Sequence, residues 1–187
     1  MEVRGSASAT SPVVNNYKVH ILLTPGGVEK IRKNLALRET TSHGNFVVVR
    51  DVYTYSIFVK KGYVNITGIR NNAQLKRVIP EICISFCLEE HEIASDVIID
   101  NISASGKFGG RINTTHVQEQ INKRGKERHR FFTASTNRGL FPGTFCRTQG
   151  HGTITVFTTG AYVTVGSKCL DSVERLFQEM SVVIAQL

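Results

Sequence analysis

Long apolar runs are missing from this sequence. The start, MEVRGSASATSPVV, holds no apolar core of signal-peptide length, and no later stretch approaches the roughly 20 residues needed to cross a bilayer. The expectation is an intracellular, soluble protein with no membrane partner. Cysteine is sparse: there are four in 187 residues, Cys83 and Cys87 one helical turn apart in an apolar segment, Cys146 and Cys169 isolated. Neither a zinc-ligand spacing nor a disulfide framework is present, so buried thiols are expected, with no metal and no cofactor. Acidic residues are outnumbered, 15 Asp and Glu against 23 Lys and Arg, for a formal charge of +8. That excess favours polyanionic partners, because Lys and Arg that neutralise phosphates release condensed counterions. The signature of disorder is lacking too, since 41% of the residues are hydrophobic and 20% charged. The length suits one substantial domain or two small units fused across a common core.

What is present is an internal repeat. Ser56 to Arg70 (SIFVKKGYVNITGIR) and Thr155 to Lys168 (TVFTTGAYVTVGSK) share a Phe, a Gly and a second Gly six residues on: Phe58, Gly62 and Gly68 in one, Phe157, Gly160 and Gly166 in the other. Both copies alternate, with Ile57, Val64 and Ile66 opposite Phe58, Asn65 and Thr67, which predicts two strands joined by a glycine turn with one face buried. A helix is expected after each copy. Asn71 or Asn72 caps AQLKRVIPEICISFCL, where Pro80 is set to kink or shorten the helix; Asp171 or Ser172 caps SVERLFQEMSVVIAQL, where Val173, Leu176, Phe177 and Met180 share a face. Upstream, each copy has an Asn-led strand (NYKVHILL from Asn16, NISAS from Asn101), a short helix (GGVEKIRKNL, TTHVQEQINK) and a further strand (FVVVR, LFPGTFCR). The fold class is therefore α+β: a flexible tail over 1–12, a first repeat over 13–95 and a second over 96–187. Helices cover one sheet face of each half and leave the other bare, and uncovered sheet usually has a partner.

LFPGTFCR followed by TITVFTTGAYVTVGSK resembles the second half of TATA-binding proteins, and NFVVVR to YSIFVKKGYVNITGIR resembles the corresponding part of that family's first repeat. The likeness runs from about residue 13 to 187 and is most specific at Phe141-Pro142-Gly143 and in the paired Phe/Gly/Gly spacing. It implies a saddle of two pseudo-repeats, a curved antiparallel sheet with helices on its convex face. It also implies Phe46, Phe58, Phe141 and Phe157 as wedges that unstack base steps in the DNA minor groove. Asn16, which stands 30 residues before Phe46, and Asn101 match the family's base-contacting asparagines, with Asn15 a competing choice for the first. Val163, Val165 and Thr67 fall at groove-facing positions, and Arg50, Arg70, Arg147 and Lys168 at phosphate-facing ones.

Departures from the family pattern bear on sequence preference. Lys18, Ser56, Asn65, Ser103 and Thr155 are more polar than the valines and leucines that suit A·T pairs, whose minor groove lacks the guanine amino group. An inserted basic stretch, Asn122 to Arg130, carries five Lys or Arg against one Glu and is a candidate for DNA contact, a solvated loop or a nuclear-import patch. RTQGHG, Arg147 to Gly152, stands where the family has a stirrup loop that meets transcription factor IIB-like partners, and lacks its usual charge and proline. The expected function is that of a non-enzymatic basal transcription factor, nuclear or at a viral replication site, which bends A/T-rich promoter double-stranded DNA and seats transcription factor IIB-like and IIA-like proteins. A homodimer is expected when DNA is absent. The alternative is an interaction module of the same fold that has lost or altered DNA binding. Cys146 and His151 invite a nucleophile-and-base reading, but no third orienting group accompanies them.

Overall fold

The computed structural model describes residues 9–124, 131–136 and 141–187, and divides into two compact units. The first spans Asn16–Asp100; the second joins the N-terminal residues up to Asn15 to Asn101–Leu187. The sequence placed the divide at 95/96, five residues earlier than the structure does. Residues assigned to a loose tail are partly paired, since the Thr10 N–H donates to the Lys107 carbonyl at 2.8 Å.

Among the described residues there are ten strands and five α-helices, and every strand pairing inside each unit is antiparallel. The first unit holds β1 (Val13–Leu22) from Asn16 onward, β2 (Thr41–His43), β3 (Phe46–Arg50), β4 (Thr54–Phe58) and β5 (Tyr63–Ile69), ordered β2-β3-β4-β5-β1. The second holds β6 (Ile98–Lys107) from Asn101 onward, β7 (Phe131–Thr136), β8 (Gly143–Thr148), β9 (Gly152–Phe157) and β10 (Ala161–Ser167), ordered β6-β10-β9-β8-β7, so that the first three residues of β1 belong to the second unit and the first three of β6 to the first. The mirrored orders are the repeat read from sequence, now as topology. The helices are α1 (Pro25–Leu35), α2 (Asn72–Lys76) and α3 (Val78–Phe86) in the first unit, α4 (Thr114–Arg124) and α5 (Leu170–Ile184) in the second.

Alternation decides which face the helices cover. Ile57, Val64 and Ile66 are fully buried while Phe58, Asn65 and Thr67 stay half-exposed, as the period of two requires. On the buried face the Tyr55 ring meets Phe86 edge-on at 5.2 Å, and the Tyr17 hydroxyl donates to Asn72 Oδ1 at 2.6 Å, which ties α2 and α3 to the sheet. In the second unit Leu176 and Met180 of α5 join Val117 and Ile121 of α4 over Ile154, Val156 and Tyr162. Val173 is buried with them and Phe177 packs at the margin, as the helical spacing predicts. Each such side chain contributes about 1.5–3 kcal/mol.

Four expectations need correction. The first long helix is two: α2 stops at Lys76 and α3 restarts at Val78, because Pro80 has no N–H for the Lys76 carbonyl and its ring would strike that carbonyl. Pro80 instead sits in the first turn of α3, where N–H groups have no helical partner in any case. Asn71 is the cap of α2, accepting from the Gln74 N–H at 2.9 Å, but α5 is capped at Cys169, ahead of both Asp171 and Ser172. Ser172 is engaged elsewhere, its Oγ 3.1 Å from His151 Nδ1 and 3.2 Å from Cys169 Sγ. Strand β8 begins at Gly143, so Phe141 and Pro142 stand ahead of it, as suits a residue that cannot donate to a ladder. Of the cysteines only Cys146 is buried; Cys83 is half-buried, and Cys87 and Cys169 are exposed.

Candidate nucleic-acid interface

The bare face of each sheet is read off by register. In the first unit His20 lies opposite Asn65, Asn65 opposite Ser56 and Ser56 opposite Val48; one row along are Leu22, Tyr63 and Phe58; one row the other way, Thr67, Thr54 and Arg50. In the second unit Ser105, Val163, Thr155, Phe145 and Ser135 form one row, with Val165, Thr153, Arg147 and Thr133 beside it. Thr67, Val163 and Val165 thus all lie on this face, Val165 at 41% exposure.

The four singled-out phenylalanines fall into two pairs. Phe46 and Phe58 stack at 4.9 Å between centroids, and Phe141 and Phe157 lie 5.7 Å apart, tilted by 57°. All four are half-exposed. Phe141 reaches its place because residue 143 is glycine: a Cβ there would stand 2.8 Å from the Phe141 ring, 2.8 Å from Thr155 Cγ2 and 3.1 Å from the Phe157 ring. The Phe-Pro-Gly run thus folds one ring back over the strand it precedes. Sequence reading missed the rings that extend each pair. His43 stacks on Phe46 at 5.3 Å and Tyr63 on Phe58 at 4.4 Å, making a ladder across β2, β3, β4 and β5, and Phe145 stacks on Phe141 at 4.7 Å. The period-of-two pattern carried the signal for Tyr63 and Phe145.

Asn16 and Asn101 play the same part in the two units. Where β5 bulges against β1, the Gly68 N–H has no ladder partner and donates to Asn16 Oδ1 at 2.8 Å; where β10 bulges against β6, the Gly166 N–H donates to Asn101 Oδ1. Both glycines sit at positive φ, +94° and +86°, which bulges of this kind favour. An N–H donor needs an oxygen, so each clasp fixes which end of its amide is which. Asn15, the competing choice, lies in the second unit and exchanges hydrogen bonds with Ser105 Oγ at 3.0 and 3.2 Å.

Arg50 and Arg147 occupy equivalent exposed positions on β3 and β8, and Arg70 and Lys168 are exposed just past β5 and β10. None of the four forms an ion pair among the described residues. Of the basic stretch 122–130, residues 125–130 lie outside the described residues, while Asn122 clamps both backbone groups of Ala134 at 3.1 Å. In the segment Arg147 to Gly152, the His151 carbonyl accepts from Ser167 Oγ at 2.7 Å. Burial pushes the Cys146 thiol up to about 12, which leaves it protonated and inert at neutral pH.

One cluster on this face was not foreseen. His20 Nδ1 lies 2.9 Å from Asp100 Oδ1, and the two line a concavity with Lys18, Leu22, Tyr63 and Asn65, all within the first unit. The Tyr63 ring meets the His20 ring edge-on at 6.2 Å. Of the polar departures noted from sequence, Lys18, Ser56, Asn65 and Ser103 are half-exposed, whereas Thr155 is 6% exposed at the foot of Gly143.

Compared with solved structures, the chain is similar to Methanococcus jannaschii TBP, with a TM-score of 0.73 at 17% sequence identity over 95% of this chain and 100% of that one. At that identity the likeness shows the fold, which is TBP-like. A second solved structure, heterotetrameric sarcosine oxidase from Corynebacterium sp. U-96 in complex with pyrrole 2-carboxylate, aligns with a TM-score of 0.32 at 11% identity over 97% of this chain and 88% of that one, too weakly to bear on the fold. No family model matches the chain, and no curated protein does.

Proposed function

We propose that this chain binds the DNA minor groove, one unit to each half of its site, and bends the duplex as a step in transcription initiation. The observation that supports this most is a pair of half-exposed phenylalanines on the bare face of each unit, Phe46 with Phe58 and Phe141 with Phe157; Phe58 and Phe157 match by strand register, whereas Phe46 lies on β3 and Phe141 two residues ahead of β8, whose Gly143 faces Phe157. Rings so placed are shaped to enter base steps, and unstacking a step costs a few kcal/mol that wider contact with bent DNA offsets. Asn16 and Asn101 would donate to groove acceptors, and Arg50, Arg70, Arg147 and Lys168 would hold phosphates without reading sequence. The role is non-catalytic and needs no cofactor. The bent promoter would seat factor IIB-like and IIA-like proteins in a nucleus or at a viral replication site, and the free chain would pair through its bare sheet.

Bending read by end-to-end fluorescence transfer tests this, with a TATA-containing duplex, a G·C-rich control and the Phe141→Ala/Phe157→Ala variant. Bending by the wild-type chain that the variant loses is the expected result. No binding to any duplex at low salt would end the proposal. It would favour the second reading, an interaction module of this fold, which the Asp100 carboxylate beside the bare face supports, since a carboxylate repels phosphate.

A further inference from the structure

Matching glycines put the two units in register: Gly62 with Gly160 and Gly68 with Gly166 make Tyr63 the counterpart of Ala161 and Asn65 that of Val163. The Asn clasps do the same for β1 and β6, making Lys18 the counterpart of Ser103, His20 that of Ser105 and Asp100 that of Asn15. The hydrogen-bonded pair His20–Asp100 in the first unit is therefore the equivalent of the pair Ser105–Asn15 in the second. One position is occupied by a carboxylate and an imidazole, the other by a neutral amide and a hydroxyl.

The difference matters to what each face can meet. An A·T pair shows the minor groove acceptors alone, whereas a G·C pair adds the guanine amino donor between its acceptors. The second unit offers Val163 and neutral groups there, which suit A·T. The first unit offers a mixed set. Asp100, 31% exposed in its side chain, accepts from His20 through Oδ1, and its Oδ2 has no hydrogen bond among the described residues. To donate from Nδ1, a neutral His20 ring must carry its proton there, which makes Nε2 an acceptor. Asn65 and Lys18, on the same concavity, supply donors for the guanine N3 and cytosine O2 acceptors. Against an A·T pair the carboxylate would face acceptors only and be repelled.

We infer that Asp100, with Asn65 beside it, makes the first unit select a G·C pair through the guanine amino group while the second unit takes A·T, so that the site is bipartite and sets the orientation of the chain. The inference rests on the minor-groove reading above. Asp100 is the specificity-determining residue, Asn65 beside it donates to acceptors that either base pair shows, and His20 positions the Asp100 carboxylate.

Equilibrium binding to three otherwise identical duplexes tests it: A·T in both halves, G·C pairs in one half, and G·C pairs in both. The wild-type chain should bind the mixed duplex about tenfold more tightly than either uniform one, within the range one good base contact provides. Replacing guanine by inosine, which lacks the amino group, should abolish that preference. The variant Asp100→Asn/Asn65→Val, which gives the first unit the second unit's residues at these two positions, should favour the all-A·T duplex. The reciprocal Asn15→Asp/Val163→Asn should favour G·C in both halves, and circular dichroism checks that each variant is folded. Binding that favours the all-A·T duplex, or that ignores inosine, overturns the inference and leaves the minor-groove reading standing. Failure to bind any of the three overturns both.

Discussion

Gly62 of the first unit and Gly160 of the second immediately precede the matching strands β5 and β10, at φ of +68° and +82°, yet the space beside them differs. A Cβ on Gly62 would find its nearest neighbours, Val28 Cγ2 and the Leu23 carbonyl oxygen, at 3.7 and 3.8 Å. One on Gly160 would stand 2.1 Å from the Gly110 carbonyl oxygen and 2.8 Å from that of Phe108. The repeat preserves the backbone conformation that the strand order demands, and leaves each unit to pack its own loops around it. The same holds on the bare face: equivalent Asn clasps, and the equivalent rings of Phe58 and Phe157, stand in units whose matching groups differ in character, a carboxylate in one and a neutral amide in the other.

The largest effect is expected where the units differ most in room. Gly160→Ala should cost about 3–5 kcal/mol, combining the left-handed backbone penalty with overpacking against fixed carbonyls, and Gly62→Ala only about 1 kcal/mol. Urea midpoints measure both; equal losses would mean the turns are interchangeable. Next come the wedges. Phe46→Ala/Phe58→Ala and Phe141→Ala/Phe157→Ala should each weaken duplex binding by roughly 10- to 100-fold if both units grip DNA. A loss confined to one pair would break the symmetry of the proposed function.

A smaller effect sharpens the likeness. Asn16→Ala and Asn101→Ala each leave one bulge N–H without its partner, so each should lose about 1 kcal/mol of stability in thermal or urea unfolding, by similar amounts. In the first unit Glu92 adds an acid dependence. Its carboxyl is held below the usual carboxylate range, chiefly by the hydrogen bond from the Glu89 backbone N–H and then by Lys30. Because the folded value is depressed, this stabilisation is present above the unfolded value, about 4.3, and is lost as pH falls through the folded one. Glu92→Gln should flatten that acid limb in unfolding measured down to about pH 3. The smallest effect is chemical: at neutral pH a thiol reagent should label Cys87 and Cys169 readily and Cys146 only on unfolding, which mass spectrometry reads directly.

The strands and helices were largely legible because each rests on local pattern. Alternation placed β4, β5, β9 and β10, and helical spacing placed the buried face of α5. The break at Arg77 was only half legible: Pro80 marked it, but whether the helix would bend or restart depended on how α2 and α3 pack against Tyr17 and Tyr55. The cap of α5 went astray because Ser172, a good cap by type, is held by His151, a residue 21 positions away. The phenylalanine pairs and the Asn positions could be named from sequence, although the partners of the Asn oxygens could not.

By itself the sequence determined the repeat, the α+β class, the two faces of each sheet and the basic excess, since these follow from periodicity, glycine placement and a count of charges. Only the tertiary structure decided which side chains share a row on the bare face. His20 meets Asp100 across 80 residues and Asn15 meets Ser105 across 90, and such neighbours are set by strand register, which no stretch of chain encodes locally.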